Sequence, residues 1–129
     1  VRALKLHTPS QHPLANGYTH GVEVEGRLLF ISGQVPRRPD EGPVSEDPAE
    51  QLRQIWRNIV NVLETAGASL ADLVHVRAYL ADRSYKGVFG EVRKEFLGDL
   101  KPGVTVVICG IWDEGWVAEI EAVAELASA

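Results

Sequence analysis

The residues best suited to chemistry lie near the C-terminal end. Glu119 and Glu121 stand two residues apart in Trp116-Val117-Ala118-Glu119-Ile120-Glu121-Ala122-Val123-Ala124, a stretch that alternates as a strand does. That spacing puts both carboxylates on one strand face, about 7 Å apart along the chain. A carboxylate within hydrogen-bond reach of a water molecule can act as a general base. The competing reading is structural, with one carboxylate meeting solvent or a neighbouring subunit and the other held in an ion pair. Cys109 follows the apolar run Val104-Thr105-Val106-Val107-Ile108, and no basic residue adjoins it to lower its pKa, so it reads as an inert buried thiol. His7, His12 and His20 match no compact ligand spacing and have no cysteine or carboxylate among them, so no metal is expected.

Positioning such groups requires a framework, and hydrophobic periodicity outlines one. Residues 1–20 show no sustained period and read as an irregular arm. Gly21 to Gln34 alternates, turns at Glu25-Gly26 and resumes as an apolar run, the pattern of a β-hairpin whose second strand is central. The Pro- and Gly-rich residues 36–47 form an exposed loop. A helix follows over 48–66, with Asp47 as N-cap, Pro48 in the first turn, Glu50 at the capping-box position and Gly67 beyond its end. Its apolar stripe includes Trp56, which reads as core. Residues 73–80 alternate as a strand, with Val74, Val76, Ala78 and Leu80 on one face and His75, Arg77 and Tyr79 on the other. A second helix, capped by Asp82 or Ser84, carries Tyr85, Val88, Phe89, Val92 and Phe96 at helical spacing and ends near Gly98. Two last strands, the first a buried apolar one opening at Pro102 and the second around Glu119, complete the chain as a hairpin containing Trp112 and Trp116.

The order is thus β-β-α-β-α-β-β, a two-layer α+β fold in one domain spanning 1–129, with two helices on one face of a mixed sheet. Right-handed crossovers put both helices on the same side. The other sheet face is left bare and is expected to be buried against further copies of the chain. The totals narrow the partners. A net charge of −5 speaks against nucleic acid, whose phosphates attract clustered Lys and Arg. No apolar run approaches the ~20 residues of a membrane helix, so no membrane partner is expected. One cysteine and no leader pattern at the N-terminus suit a reducing, cytoplasmic setting.

Several stations in colinear order carry a resemblance: Tyr18, Ser32-Gly33-Gln34, Asn61-Val62-Leu63-Glu64-Thr65-Ala66-Gly67, the strand Val74 to Leu80, Pro102 before an apolar strand, and Glu119-Ile120-Glu121-Ala122-Val123-Ala124. Together they resemble the Rid family, also called YjgF or reactive intermediate deaminase, over nearly the whole chain. The resemblance implies a chorismate mutase-like fold and a homotrimer with small-molecule sites in the clefts between subunits. It also implies cofactor-free hydrolysis of 2-imino and 2-enamino acids to 2-keto acids and ammonia. By the same likeness Glu119 orients the attacking water, Tyr18 lines the cleft, and Ser32 and Gly33 supply backbone contacts.

One station departs from the family. Deaminase members have Pro-x-Arg where this chain reads Pro102-Gly103-Val104, so Val104 stands in the place of the arginine that binds the substrate carboxylate. Phe89 stands in the place of a family asparagine on the second helix, and Val106, two residues beyond Val104, lines the cleft with them. A charge-assisted hydrogen bond contributes about 1.5–3 kcal/mol, so the loss weakens carboxylate binding on the order of tenfold to several hundredfold. Three readings stay open. The chain is a Rid-type protein that binds or hydrolyses a small imine- or enamine-like metabolite, a standard deaminase using another arginine such as Arg77 or Arg83, or a non-enzymatic ligand-binding trimer.

Overall fold

A computed structural model describes residues 5–127. Two three-residue strands come first, Lys5–His7 (β1) and Gly21–Glu23 (β2), paired antiparallel in a small sheet of their own. Arg27–Gln34 (β3) follows, then the helix Pro48–Thr65 (α1), the strand Leu73–Leu80 (β4), the helix Lys86–Leu97 (α2), and the strands Gly103–Ile108 (β5) and Ala118–Leu126 (β6). The main sheet has the order β3-β6-β4-β5, with β4 and β5 parallel and β6 antiparallel to both its neighbours. This is the expected α+β arrangement of two helices on a mixed sheet.

The helices form for the reasons their sequences suggest. Asp47 accepts a hydrogen bond from the Glu50 backbone at 3.3 Å, and Pro48 opens the helix where its missing N–H leaves nothing unpaired. The capping box does not close, because the Glu50 carboxylate turns instead to Arg57 at 2.8 Å. Leu52, Ile55, Trp56, Ile59 and Leu63 on α1 are fully enclosed and meet Val76, Ala78, Leu80, Ile120, Ala122 and Ala124 from the sheet. Each fully buried large apolar side chain contributes about 1.5–3 kcal/mol. Trp56 is core as expected, its ring stacked on Phe96 of α2 at 6.0 Å. Asp82 caps the short turn leading into α2, and Gly98 ends that helix with φ 54°.

The strand pairings depart from expectation in three places. Gly21–Glu23 does not form a hairpin with β3 but pairs with β1, so the arm contains a strand too short to show a period. Glu23 draws it there, its carboxylate reaching Lys5 at 3.3 Å and His7 at 3.0 Å. The turn at Glu25-Gly26 is real, but it is pinned to β6, where the buried Glu125 carboxylate accepts from both backbone N–H groups. Second, β3 is an edge strand, not a central one. Third, β5 and β6 are not a hairpin, because β6 inserts between β3 and β4 while the crossover through α2 carries β5 to the far side of β4. As the other edge, β5 is exposed from Thr105 to Ile108 in the single chain, so its apolar run is not a buried strand here.

Candidate functional site

The sheet face opposite the helices has both polar and apolar parts. Its polar part centres on β4 and β6, where Arg77 stands beside Glu121 and Tyr79 beside Glu119 in register. The Tyr79 hydroxyl donates to Glu121 Oε1 at 2.5 Å, and Arg77 Nη1 lies 3.9 Å from the same oxygen. The hydrogen bond to Glu121 raises the Tyr79 pKa, since losing the phenolic proton would leave two negative oxygens in contact. Glu121 therefore takes the structural part of the carboxylate pair. Glu119, on the same face, has no such partner.

Beside this network His75 lies across β5 at Gly103, where an added Cβ would come 3.0 Å from its Nδ1. Its Nε2 is buried without a hydrogen-bond partner. Burial first, and the nearby Arg77 charge second, lower the His75 pKa and favour the neutral ring.

A cavity of about 300 Å³ opens at this end of the sheet, and its lining includes Tyr18, Thr19, His20, His75, Val104 and Thr105. The segment containing Tyr18 is tied directly to the strand that follows Pro102. Thr19 pairs with Gly103, its N–H donates to the Pro102 carbonyl at 3.2 Å, and its hydroxyl meets that of Thr8 at 3.2 Å. Tyr18 packs edge-on to His20 with ring centroids 5.4 Å apart, and His20 Nε2 bonds to the Pro13 carbonyl at 2.6 Å. Tyr18 and Val104 thus line one cavity. Thr19, at 3% exposed, and His75 were not singled out from sequence as cavity residues, since neither carries a local signal of which segment meets it.

Glu119 lies elsewhere. It packs against Gly33 at the irregular end of β3, where a side chain on Gly33 would collide with the Glu119 carboxylate. Ser32 lies just before that glycine. Two strands and three register positions separate Glu119 from Val104, about 14 Å at ordinary strand spacings, and alternation puts the two side chains on opposite sheet faces. Val106 extends along β5 on the Val104 side and is exposed, and Phe89 is 4% exposed among the core residues beneath α2. Neither lines the cavity. Cys109 lies just past β5, its N–H bonded to the Leu80 carbonyl at 3.0 Å, and is partly exposed rather than buried. Among the described residues no group of three or more His, Cys, Asp or Glu side chains could hold a metal ion, and no helix is long and apolar enough to cross a membrane.

The family model described as endoribonuclease L-PSP matches residues 9–126. A RutC family protein of Pyrococcus horikoshii is 38% identical over 108 residues, covering 83% of this chain and 85% of the relative. A protein of Escherichia coli whose name provisionally makes it the reactive intermediate deaminase TdcF is 29% identical over 82 residues, 64% of this chain and 63% of its own. Among solved structures, a Rid family protein of unknown function from Yersinia pestis superposes with a TM-score of 0.85 at 26% identity, covering 95% of this chain and 98% of the other.

Proposed function

From the premise that the chain belongs to the Rid family, whose model bears the description endoribonuclease L-PSP, we propose that it is a homotrimer that binds and hydrolyses a small imine- or enamine-like metabolite in clefts between subunits. The carrying observation is the separation of the two half-sites within one chain. Tyr18 and Val104 share one cavity, while Glu119 and Gly33 lie about 14 Å away at ordinary strand spacings, too far for one small substrate to touch both. A cleft that joins the half-sites has to be built from two copies, and the bare sheet face supplies the surface for that association.

In such a cleft Glu119 takes a proton from water as the water oxygen bonds to the imine carbon, and returns it to the nitrogen that receives the C=N π electrons, giving a carbinolamine. Glu119 then moves the carbinolamine hydroxyl proton to the amine, the C–N bond breaks as the C=O bond forms, and a ketone and ammonia leave. Ser32 and Gly33 bring the backbone close to the reacting centre, and Tyr18 lines the wall opposite. Val104 gives the carboxylate end of an amino-acid-derived imine no charged partner, so turnover of such imines through that position is weak. The acidic chain gives RNA little attraction.

The test is ammonia release from imines generated continuously by an L-amino-acid oxidase. The protein is expected to accelerate release above the spontaneous rate, and Glu119→Ala to remove the acceleration. No acceleration at any protein concentration overturns the hydrolytic reading and leaves ligand binding alone, which stabilisation of the fold by small metabolites would then reveal.

A further inference from the structure

We propose that the cavity beside Tyr18 selects ligands without a carboxylate, namely carboxylate-free imines and the ketones or aldehydes they yield, and that His75 binds their polar end. The inference rests on the cleft reading given above and names its substrate class. Among the described residues that line the cavity, none is Asp, Glu, Lys or Arg. Its walls are largely apolar, with Val22, Leu28 and Val123 joining Val104. Arg77, two residues along β4 from His75, lies 3.9 Å from Glu121, and Arg93, whose guanidinium reaches Gly17, is outside the lining. A carboxylate brought into this space loses water and gains no opposite charge. The wall that a second copy supplies carries Glu119, so a bound acid would also face a like charge.

The polar groups of the lining narrow the ligand further. Thr19 Oγ1 meets Thr8 Oγ1 at 3.2 Å and His20 Nε2 bonds to the Pro13 carbonyl at 2.6 Å, so both are committed. His75 differs from them, since its Nε2 is buried with no hydrogen-bond partner. Buried polar atoms are nearly always paired, and one left unpaired in a residue that lines a cavity marks a position for a ligand's polar end. The register sets His75 opposite Gly103, which gives the ring its room, because a Cβ there would come 3.0 Å from Nδ1. Burial and the Arg77 charge favour the neutral ring. A neutral imidazole donates to a carbonyl oxygen or accepts from an imine N–H according to its tautomer, and neither bond needs a charged ligand.

The experiment titrates the full chain with 2-oxobutyramide and with 2-oxobutyrate, which match in size and differ in charge, following heat of binding. The unmodified protein is expected to prefer the amide by about tenfold or more. Thr105→Lys, which adds a cation at an exposed position of the lining, is expected to reverse that preference. His75→Phe, which keeps a ring and removes the hydrogen bond, is expected to weaken amide binding by about three- to tenfold. His75→Gln restores a hydrogen-bonding group, guards against a packing effect of the phenylalanine, and is expected to recover part of that loss. Equal affinity, a preference for the acid, or binding of neither compound at millimolar concentration overturns the selectivity, and amide affinity unchanged in both His75 variants overturns the role of His75. Ammonia release measured alongside separates this from the cleft reading. A preference for the amide without any turnover sinks only the hydrolysis, and turnover of 2-imino acids with the acid preferred sinks only the selectivity.

Discussion

Gly33 and Glu119 are one device rather than two residues. The missing Cβ on Gly33 is the space the Glu119 carboxylate occupies. Gly33→Ala is expected to lower stability by about 1–3 kcal/mol, because the new Cβ meets Cγ and Cδ of Glu119 as well as its carboxylate oxygen and the whole side chain has to relocate. It is expected to reduce imine hydrolysis as much as Glu119→Ala does, with the double variant no worse than either single one, the non-additivity of groups that act together. Thermal midpoints and ammonia release across the four proteins check this. His75 makes a second prediction at this scale. Its folded-state pKa lies below the ordinary value near 6.5, so the unfolded chain binds the proton more readily. The stabilising contribution is then complete above the unfolded pKa and is lost as pH falls through that value toward the folded one. Urea midpoints measured from pH 7.5 down to pH 5 are expected to fall more steeply for the unmodified protein than for His75→Asn, and equal slopes refute the assignment. The family likeness gives Ser32 and Gly33 backbone contacts but says nothing of Glu119 packing against Gly33, since that contact spans 86 residues of chain and depends on which strands become neighbours.

At the scale of elements, the long connections are held by buried polar side chains. Gln51, on the first turn of α1 and 3% exposed, is the clearest case. Its amide nitrogen donates to the Ser45 and Gly115 carbonyls, both at 2.9 Å, and its oxygen accepts from the Val117 N–H at 2.8 Å. It thereby joins the loop before α1 to the connection that delivers β6 into the middle of the sheet. Gln51→Ala leaves the buried Val117 N–H unpaired, which costs about 1–3 kcal/mol, so a loss of that order is expected in chemical unfolding. Gln51→Glu, which keeps the acceptor but loses the donors, is expected to fall between. Both helices were legible because their stripes are local, and β4 was legible because its alternation is regular. The pairing of β5 with β4, and of β6 with both β3 and β4, was not. A strand's neighbours are set by the crossover through α2 and by clamps such as Gln51 and Glu125, and neither leaves a local pattern. The apolar run from Val104 to Ile108 looks the same in sequence whether the strand is central or, as here, at an edge awaiting a cover.

That need for a cover is a property of the whole molecule. Leu28 and Phe30 on β3 and Val107 on β5 lie exposed on the sheet face opposite the helices, and Phe30 is 73% exposed. Scattered apolar residues on a surface are ordinary, but Leu28 and Phe30 lie along one uncapped edge of the sheet and Val107 along the other, and apolar residues on open sheet edges favour association. On this face Tyr79 and Glu121 pair within the chain, while Arg77 lies only 3.9 Å from Glu121 and stays half exposed. Copies of the chain that close over the face have to leave Arg77 and Glu119 in water or give them partners. The expected assembly is the trimer, for which light scattering at micromolar concentration gives three times the chain mass. Phe30→Lys puts a charge on the exposed apolar surface of β3, and removing one from water without a partner costs several kcal/mol, so the variant is expected to run as a monomer. The informative measurement is activity on that monomer. If the two half-sites meet only across subunits, Phe30→Lys abolishes imine hydrolysis although Tyr18 and Glu119 are both intact, and mixing it with a Glu119→Ala trimer restores none. A folded Phe30→Lys monomer that still hydrolyses imines would show that one chain suffices, and the shared cleft would have to be given up.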